Sequence, residues 1–263
     1  DSKSKGLYVF ANDARQFLLS SLQSNGIEGD QYAIASALIL GSKDELDFEV
    51  KQAYATAGAM HVLAVSGLHV GIIFLLLNTL LSFLDTSKKG RVFKAIILLI
   101  ALWSYALLTG LSPSVLRAST MFSFVILGTV LNRKSSIYNT LAASAFFLLI
   151  INPNLLFEVG FQLSYVAVLG IAYLQPLIYK RIYTRWWLLD KIWAITAVSI
   201  AAQIATLPLT LYYFNQFPVY FMLSNLLVIP SAIVILSLGI LLFVTSPFPV
   251  VSESVGWVLN KFI

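Results

Sequence analysis

The chain contains no cysteine, so neither a disulfide framework nor a thiolate metal site can be built from it. Histidine occurs only twice in 263 residues, and no His-Glu-x-x-His run is present. A zinc-hydrolase centre would therefore need carboxylates as well, and the expectation is no metal and no cofactor. No Gly-x-x-x-x-Gly-Lys-Ser/Thr loop occurs either, so any ATP-driven work must come from a partner. Charge is scarce: Asp, Glu, Lys and Arg make up 11% of the chain, against about 25% in soluble domains. What remains is apolar, 59% hydrophobic, and this balance indicates an integral membrane protein. A spanning helix needs roughly 20 apolar residues, and the chain after residue 60 has room for about eight. It starts at Asp1 without a signal peptide and stops at Ile263 inside a new apolar pattern, so we expect a piece of a longer protein.

The net charge of +5 conceals an asymmetry. Residues 1–60 hold eight of the twelve acids and five of the seventeen bases, a net of −3, and the remainder is +8. Apolar runs suggest spans at roughly 61–84, 93–109, 113–131, 136–151, 160–179, 192–214 and 219–245, with an eighth starting near 250. Lys88, Lys89, Arg91 and Lys94 follow the first span, Arg133 and Lys134 the third, and Lys180, Arg181, Arg185 and Lys191 the fifth. The loops after the second, fourth and sixth spans carry no Lys or Arg. By the positive-inside rule the basic loops are cytoplasmic, which puts residues 1–60 on the outer side as helices leading into a membrane domain at 61–263.

Within the lead-in, Asp1 to Lys5 reads as a tail, and Leu7 to Leu22 as an amphipathic surface helix too charged to span. Gln31 to Leu40 is apolar but short, to be buried in protein or laid at the interface. The acids of Ser42 to Glu49 suit a solvated turn opening a helix.

One stretch organises the rest: Gly58 to Gly71, which carries both His61 and His69. Histidine is costly in hydrocarbon, so it marks a candidate functional site there. If the stretch is helical, Ala53, Ala57, Met60, Ala64, Gly67 and Gly71 share one face. That face is small except at Met60, and Gly67-xxx-Gly71 suits close helix packing. His61, Ser66 and His69 lie beside it. Ser66 and His69 also stand one turn apart, as a nucleophile and its base could. No third residue in the sequence identifies itself as orienting the histidine, and hydrolysis is not our reading.

Other polar residues interrupt the spans. Arg117 lies about one turn below the outer end of the third span; its guanidinium suits phosphate oxygens, or alternatively a structural pair or a snorkelling contact. Glu158, Gln162 and Tyr165 share a face of the fifth span with Ser164 beside them, and Glu158 is a candidate partner for Arg117. Ser199, Gln203, Thr206 and Thr210 form a stripe on the sixth span, facing either a water-filled path or neighbouring helices. Asn225 stands in the seventh. Pro208 and Pro230 sit inside apolar spans, where a proline bends the helix and such breaks are tolerated beside a cavity.

These stretches, in order, resemble the competence domain of the ComEC family, the inner-membrane DNA channels of bacterial natural transformation. The blocks are Leu38 to Gly41, Met60 to Gly71, Leu111 to Met121, Asn152-Pro153 with Gly160 to Ser164, Gln203 to Pro208, and Asn225 to Pro230. The first histidine block is the specific one. The resemblance covers about residues 30–245. It implies a channel that passes one DNA strand into the cytoplasm, with a DNA receptor and a cytoplasmic helicase-like motor as partners. It also implies further domains in the full-length chain, an external OB-fold and in many members a metallo-β-lactamase-like domain. Neither is visible in this sequence, which lacks a His-x-His-x-Asp-His metal motif, so no nuclease activity is assigned.

The expectation is thus an all-α polytopic bundle with broken helices in the bacterial inner membrane, passing single-stranded DNA and not an enzyme. His61, Ser66, His69, Arg117, Gln162, Ser164, Tyr165, Gln203, Thr206 and Asn225 would line the path, with Tyr165 stacking on bases. Gly67, Gly71, Pro208 and Pro230 would pack or gate it. The alternative is a secondary transporter for a small anion, which broken helices and an intramembrane arginine also fit. The lack of a repeat and of a deep carboxylate counts against it.

Overall fold

A computed structural model describes residues 2–56, 63, 65–131, 136–183, 185–215 and 220–263. Among these the protein is helical throughout, with no strand. The α-helices are α1 (Ser2–Ser24), α2 (Gly29–Leu40), α3 (Phe48–Thr56), α4 (Gly67–Leu80), α5 (Lys88–Leu108), α6 (Pro113–Val130), α7 (Ile137–Ile151), α8 (Val159–Tyr179), α9 (Trp187–Phe214), α10 (Phe221–Thr245) and α11 (Pro249–Phe262). Short 3-10 helices occupy Ser82–Thr86 and Pro153–Phe157. Five helices, α5, α6, α8, α9 and α10, are long and apolar enough to cross a membrane, while α4 and α7 are shorter apolar helices.

Local chemistry places most of the ends. Ser87 caps α5 by accepting from the Gly90 N–H at 2.9 Å. Pro113 opens α6, where its missing N–H costs nothing. Ser136 caps α7. Gly41, at φ 71°, ends α2 in the left-handed conformation, its N–H returning to Ala37 O. Both prolines expected to break helices, Pro208 and Pro230, lie within helices that run on through them, and so does Pro176 in α8.

Backbone packing divides the chain into two compact units, residues 1–119 with 228–263 and residues 120–227. In the first unit α1 and α2 are built into the core. Leu19, Leu22 and Ile27 join Ala35, Leu38, Ile39 and Leu40 of α2, and Ala232, Ile235 and Leu242 of α10 with Leu259 of α11 complete the cluster. A Cβ at Gly239 would land on the Ile39 side chain, so α2 lies directly against α10. The Asn260 amide donates to Gly26 O at 3.1 Å, and Gly256 backs onto the Asn25 carbonyl. The apolar segment from Gln31 to Leu40 is therefore buried in protein. The other face of α1 remains exposed at Phe10 and Phe17, as its amphipathic pattern suggests, but the helix begins at Ser2, where the sequence suggested a tail. Burial, and secondarily Glu45, raises the Tyr32 phenol above its ordinary value.

In the second unit α8 and α9 form a close hairpin. The Tyr179 hydroxyl donates to Asp190 Oδ1 at 2.5 Å, and the Trp193 indole donates to Tyr179 O at 2.9 Å. A Cβ at Gly170 would coincide with that of Ala205 and press on Ala201 O, so the two helices touch at backbone distance.

Candidate functional site

The first expected span is the largest departure from the sequence reading. Ser66 is extended at φ −122°, ψ 174°, and the helix starts only at Gly67. With 14 residues, α4 is about 21 Å long, short of the ~30 Å hydrocarbon core. A single small-residue stripe from Ala53 to Gly71 is thus ruled out, because the helical period is broken at Ser66. Ala57, Met60, His61 and Ala64 lie outside the described residues. Of the stripe, Gly67 does meet another helix: a Cβ there would stand 3.5 Å from Ala118 Cβ of α6. Gly71 is half-buried in α4.

The break has a cause. Ser66 and His69 form a reciprocal capping box. The Leu68 N–H donates to Ser66 Oγ at 3.3 Å, and the Ser66 N–H donates to His69 Nδ1 at 3.2 Å. Ser66 Oγ also lies 3.1 Å from that nitrogen. The ring is fully buried. Because Nδ1 accepts from the Ser66 N–H, a neutral His69 carries its hydrogen on Nε2. Ser66 is committed to the cap, which explains its one-turn spacing from His69 without a nucleophile.

The elements around this cap converge. A Cβ at Gly41 would meet Val65 Cγ2 at 2.9 Å and Thr109 Cβ at 3.8 Å, so the end of α2, the lead-in to α4 and the end of α5 adjoin. Thr109 bonds back to Tyr105 O at 3.0 Å. Between α5 and α6 the chain turns through Gly110 at φ 73° and Leu111 at φ 52°. The left-handed conformation at a leucine costs about 1–2 kcal/mol. Arg117 follows on the second turn of α6, 5% exposed, its Nη2 3.4 Å from Ser114 Oγ. It is held inside the protein and does not snorkel. Tyr105, which sequence reasoning passed over, is buried, and its hydroxyl has no hydrogen-bond partner among the described residues.

In the second unit Gln162 bridges a loop and a helix. Its amide donates to Leu156 O at 2.9 Å, and the Tyr213 hydroxyl donates to its Oε1 at 2.9 Å. Tyr165 is 8% exposed, with its hydroxyl 3.1 Å from Ser144 Oγ and its ring 4.5 Å from that of Phe161. The Tyr165 ring is thus packed against protein on α7 and α8. Ser164 and Gln203 are half-buried. Thr206 and Thr210 spend their hydroxyls on Ala202 O and Thr206 O of their own helix. Asn225 donates to Ser199 Oγ at 3.2 Å, and its Oδ1 is buried without a partner among the described residues. The stripe on α9 is therefore largely satisfied within the protein. Glu158, exposed at the start of α8, belongs to this unit, whereas Arg117 belongs to the first. Ser144 and Tyr213 were not legible as partners, because a hydroxyl 21 or 51 residues away leaves no local pattern.

A family model described as Competence protein matches residues 38–263. The chain belongs to that family. The match starts at the end of α2 and runs through the capped histidine, the strained turn and the Arg117 helix. Among curated proteins, the competence chain is 34% identical over 201 residues to ComE operon protein 3 of Bacillus subtilis (strain 168), covering 76% of this chain and 25% of that protein. It is 31% identical over 159 residues to an uncharacterized protein of Aquifex aeolicus (strain VF5), covering 60% of this chain and 37% of that one. The competence domain described here thus spans about a quarter to somewhat over a third of the length of these relatives. No solved structure matches it.

Proposed function

We propose that this domain acts in competence DNA uptake and that it passes a single DNA strand across the bacterial inner membrane. The observation that carries the reading is the family match over residues 38–263, which includes the buried polar end of the first unit. In the first unit the strand meets the Arg117 guanidinium, suited to phosphate oxygens, and the Nε2 edge of His69, with His61 beside it in sequence. In the second unit it meets Gln162, Ser164 and Gln203. Ser66, Tyr165, Thr206 and Asn225 act one step back, holding helix ends and neighbours in place through the bonds described above. Gly67, Gly71, Pro208 and Pro230 set packing and bending. The basic loops face the cytoplasm, residues 1–60 approach from the outer side, and the lipid bilayer surrounds the long apolar helices. A DNA receptor, other domains of the full-length chain and an ATP-driven cytoplasmic motor are the expected partners.

Transformation frequency in cells carrying Arg117→Ala or His69→Ala in the full-length protein tests this, with membrane abundance measured alongside. Uptake of labelled single strand is expected to fall at least tenfold at unchanged abundance, the loss of a hydrogen bond to a charged group. Uptake that follows abundance alone would make both residues structural and overturn the assignment. A transporter for a small anion predicts instead that uptake saturates with the anion and is indifferent to DNA length.

A further inference from the structure

The end of the first unit contains polar groups that the reading above leaves unused, and the Tyr105 phenol is the largest of them. Tyr105 is 9% exposed, and its phenolic oxygen is buried with no hydrogen-bond partner among the described residues. Such a group is costly to bury unless something pairs with it. Its place on α5 says what it adjoins. Thr109, four residues on and therefore on the same face, adjoins Gly41, which in turn abuts Val65 immediately before the Ser66–His69 cap. Helical side chains lean toward the N-terminus of their helix, so Tyr105 reaches back from Thr109 toward the level of the first turn of the antiparallel α4. Gly67 in that turn packs on Ala118, next to Arg117. The phenol, the His69 ring and the Arg117 guanidinium thus come from three elements that meet at one end of the unit.

We propose that Tyr105 is a further strand-binding residue, its phenolic O–H donating to a phosphodiester oxygen of the passing single strand. The inference rests on the DNA-passage reading. A phenol suits the task because it is a neutral donor: it adds a hydrogen bond beside Arg117 without a second fixed charge that would hold the strand in place. The loop from Gly110 to Ser112 has no basic residue, so Arg117 is supplemented at this end by neutral donors.

Two variants of the full-length protein in competent cells test it. Tyr105→Phe removes the hydroxyl alone; uptake of labelled strand is expected to fall roughly tenfold with abundance unchanged. Replacing Tyr105 with p-azidophenylalanine puts a photoreactive group where the hydroxyl stood, and illumination during uptake is expected to crosslink the strand. The same replacement at Ile100, an exposed position on the same helix, should give none. Wild-type uptake by Tyr105→Phe, or no crosslink at 105 in cells that still import DNA, overturns the proposal. So does a Tyr105→Phe protein that loses abundance, since its hydroxyl would then be bonded within the chain. Arg117→Gln and His69→Gln separate the two levels. If they abolish uptake and Tyr105→Phe does not, only this inference fails. If none of the three affects uptake, the DNA-passage reading fails with it.

Discussion

At the scale of single residues, His69 has two separable duties. Its Nδ1 closes the cap on α4, and its Nε2 edge is the one the proposed function assigns to the strand. Glutamine at the third helical position closes the same kind of box through its side-chain oxygen. We therefore expect His69→Gln to keep the thermal stability of the purified protein close to wild type, while His69→Ala loses about 0.5–2 kcal/mol, the usual size of a lost cap. Ser66→Ala should lose a similar amount. If His69→Gln also restores DNA uptake in cells, the histidine is a cap and nothing more. Sequence reading singled out this residue because histidine is expensive in an apolar run, but it could not divide the two nitrogens. That division depends on the extended backbone at Ser66, and Val65-Ser66 lies in a stretch whose apolar residues continue on both sides. Tyr105 was missed for the converse reason: a tyrosine near the end of an apolar helix resembles an interfacial anchor, and only burial distinguishes it.

At the scale of helices, composition placed α6, α7, α8 and α10 to within two residues and the starts of α5 and α9 to within five, since length, hydropathy and the Ser-Pro and Ser caps coincide there. The expected span at 192–214 begins earlier, at Trp187, because Trp187 to Lys191 joins the helix that the Tyr179–Asp190 bond secures. Which glycines matter was less legible. Gly67 was expected to be the tight one, yet a Cβ there makes only an ordinary contact at 3.5 Å with Ala118. Gly170 is among the tight positions, facing Ala201 and Ala205 on α9. The signal was present as Ala197, Ala201 and Ala205 at intervals of four, a small-residue ridge that called for a partner. We expect Gly67→Ala to be nearly neutral and Gly170→Ala to lose about 1–3 kcal/mol by overpacking, offsetting any gain in helix propensity. Ala205→Gly in the Gly170→Ala background should recover part of the loss. Thermal unfolding in detergent measures all three, and equal effects at the two glycines would contradict the packing described.

At the scale of the whole molecule, the distribution of lysine and arginine and the burial of the lead-in have to be satisfied together. The proposed topology has the segment from Lys88 to Lys94 on the cytoplasmic side, and in that segment Lys94 is itself buried against Asp85 at 2.8 Å. The same proposal has residues 1–60 outside, yet α2 is enclosed by α10 and α11 in the core of the first unit. Both hold if the lead-in approaches from the outer surface and α2 is tucked among the helices, with Gly41 emerging beside Thr109 at the outer end of α5. The absence of cysteine makes this testable without background. Single cysteines at Asp44 and Asn154 should react with a membrane-impermeant maleimide in intact spheroplasts, whereas cysteines at Lys89 and Arg185 should react only after permeabilisation. A cysteine at Ala35, fully buried in α2, should stay protected under both conditions until the protein is unfolded. Labelling of Lys89→Cys from outside would invert the topology, and with it the direction in which a strand would meet Arg117 and Tyr105. Labelling of Ala35→Cys in the folded protein would instead detach α2 from the core, leaving the orientation untouched but removing the support for the Gly41, Val65 and Thr109 junction on which the site at that end depends.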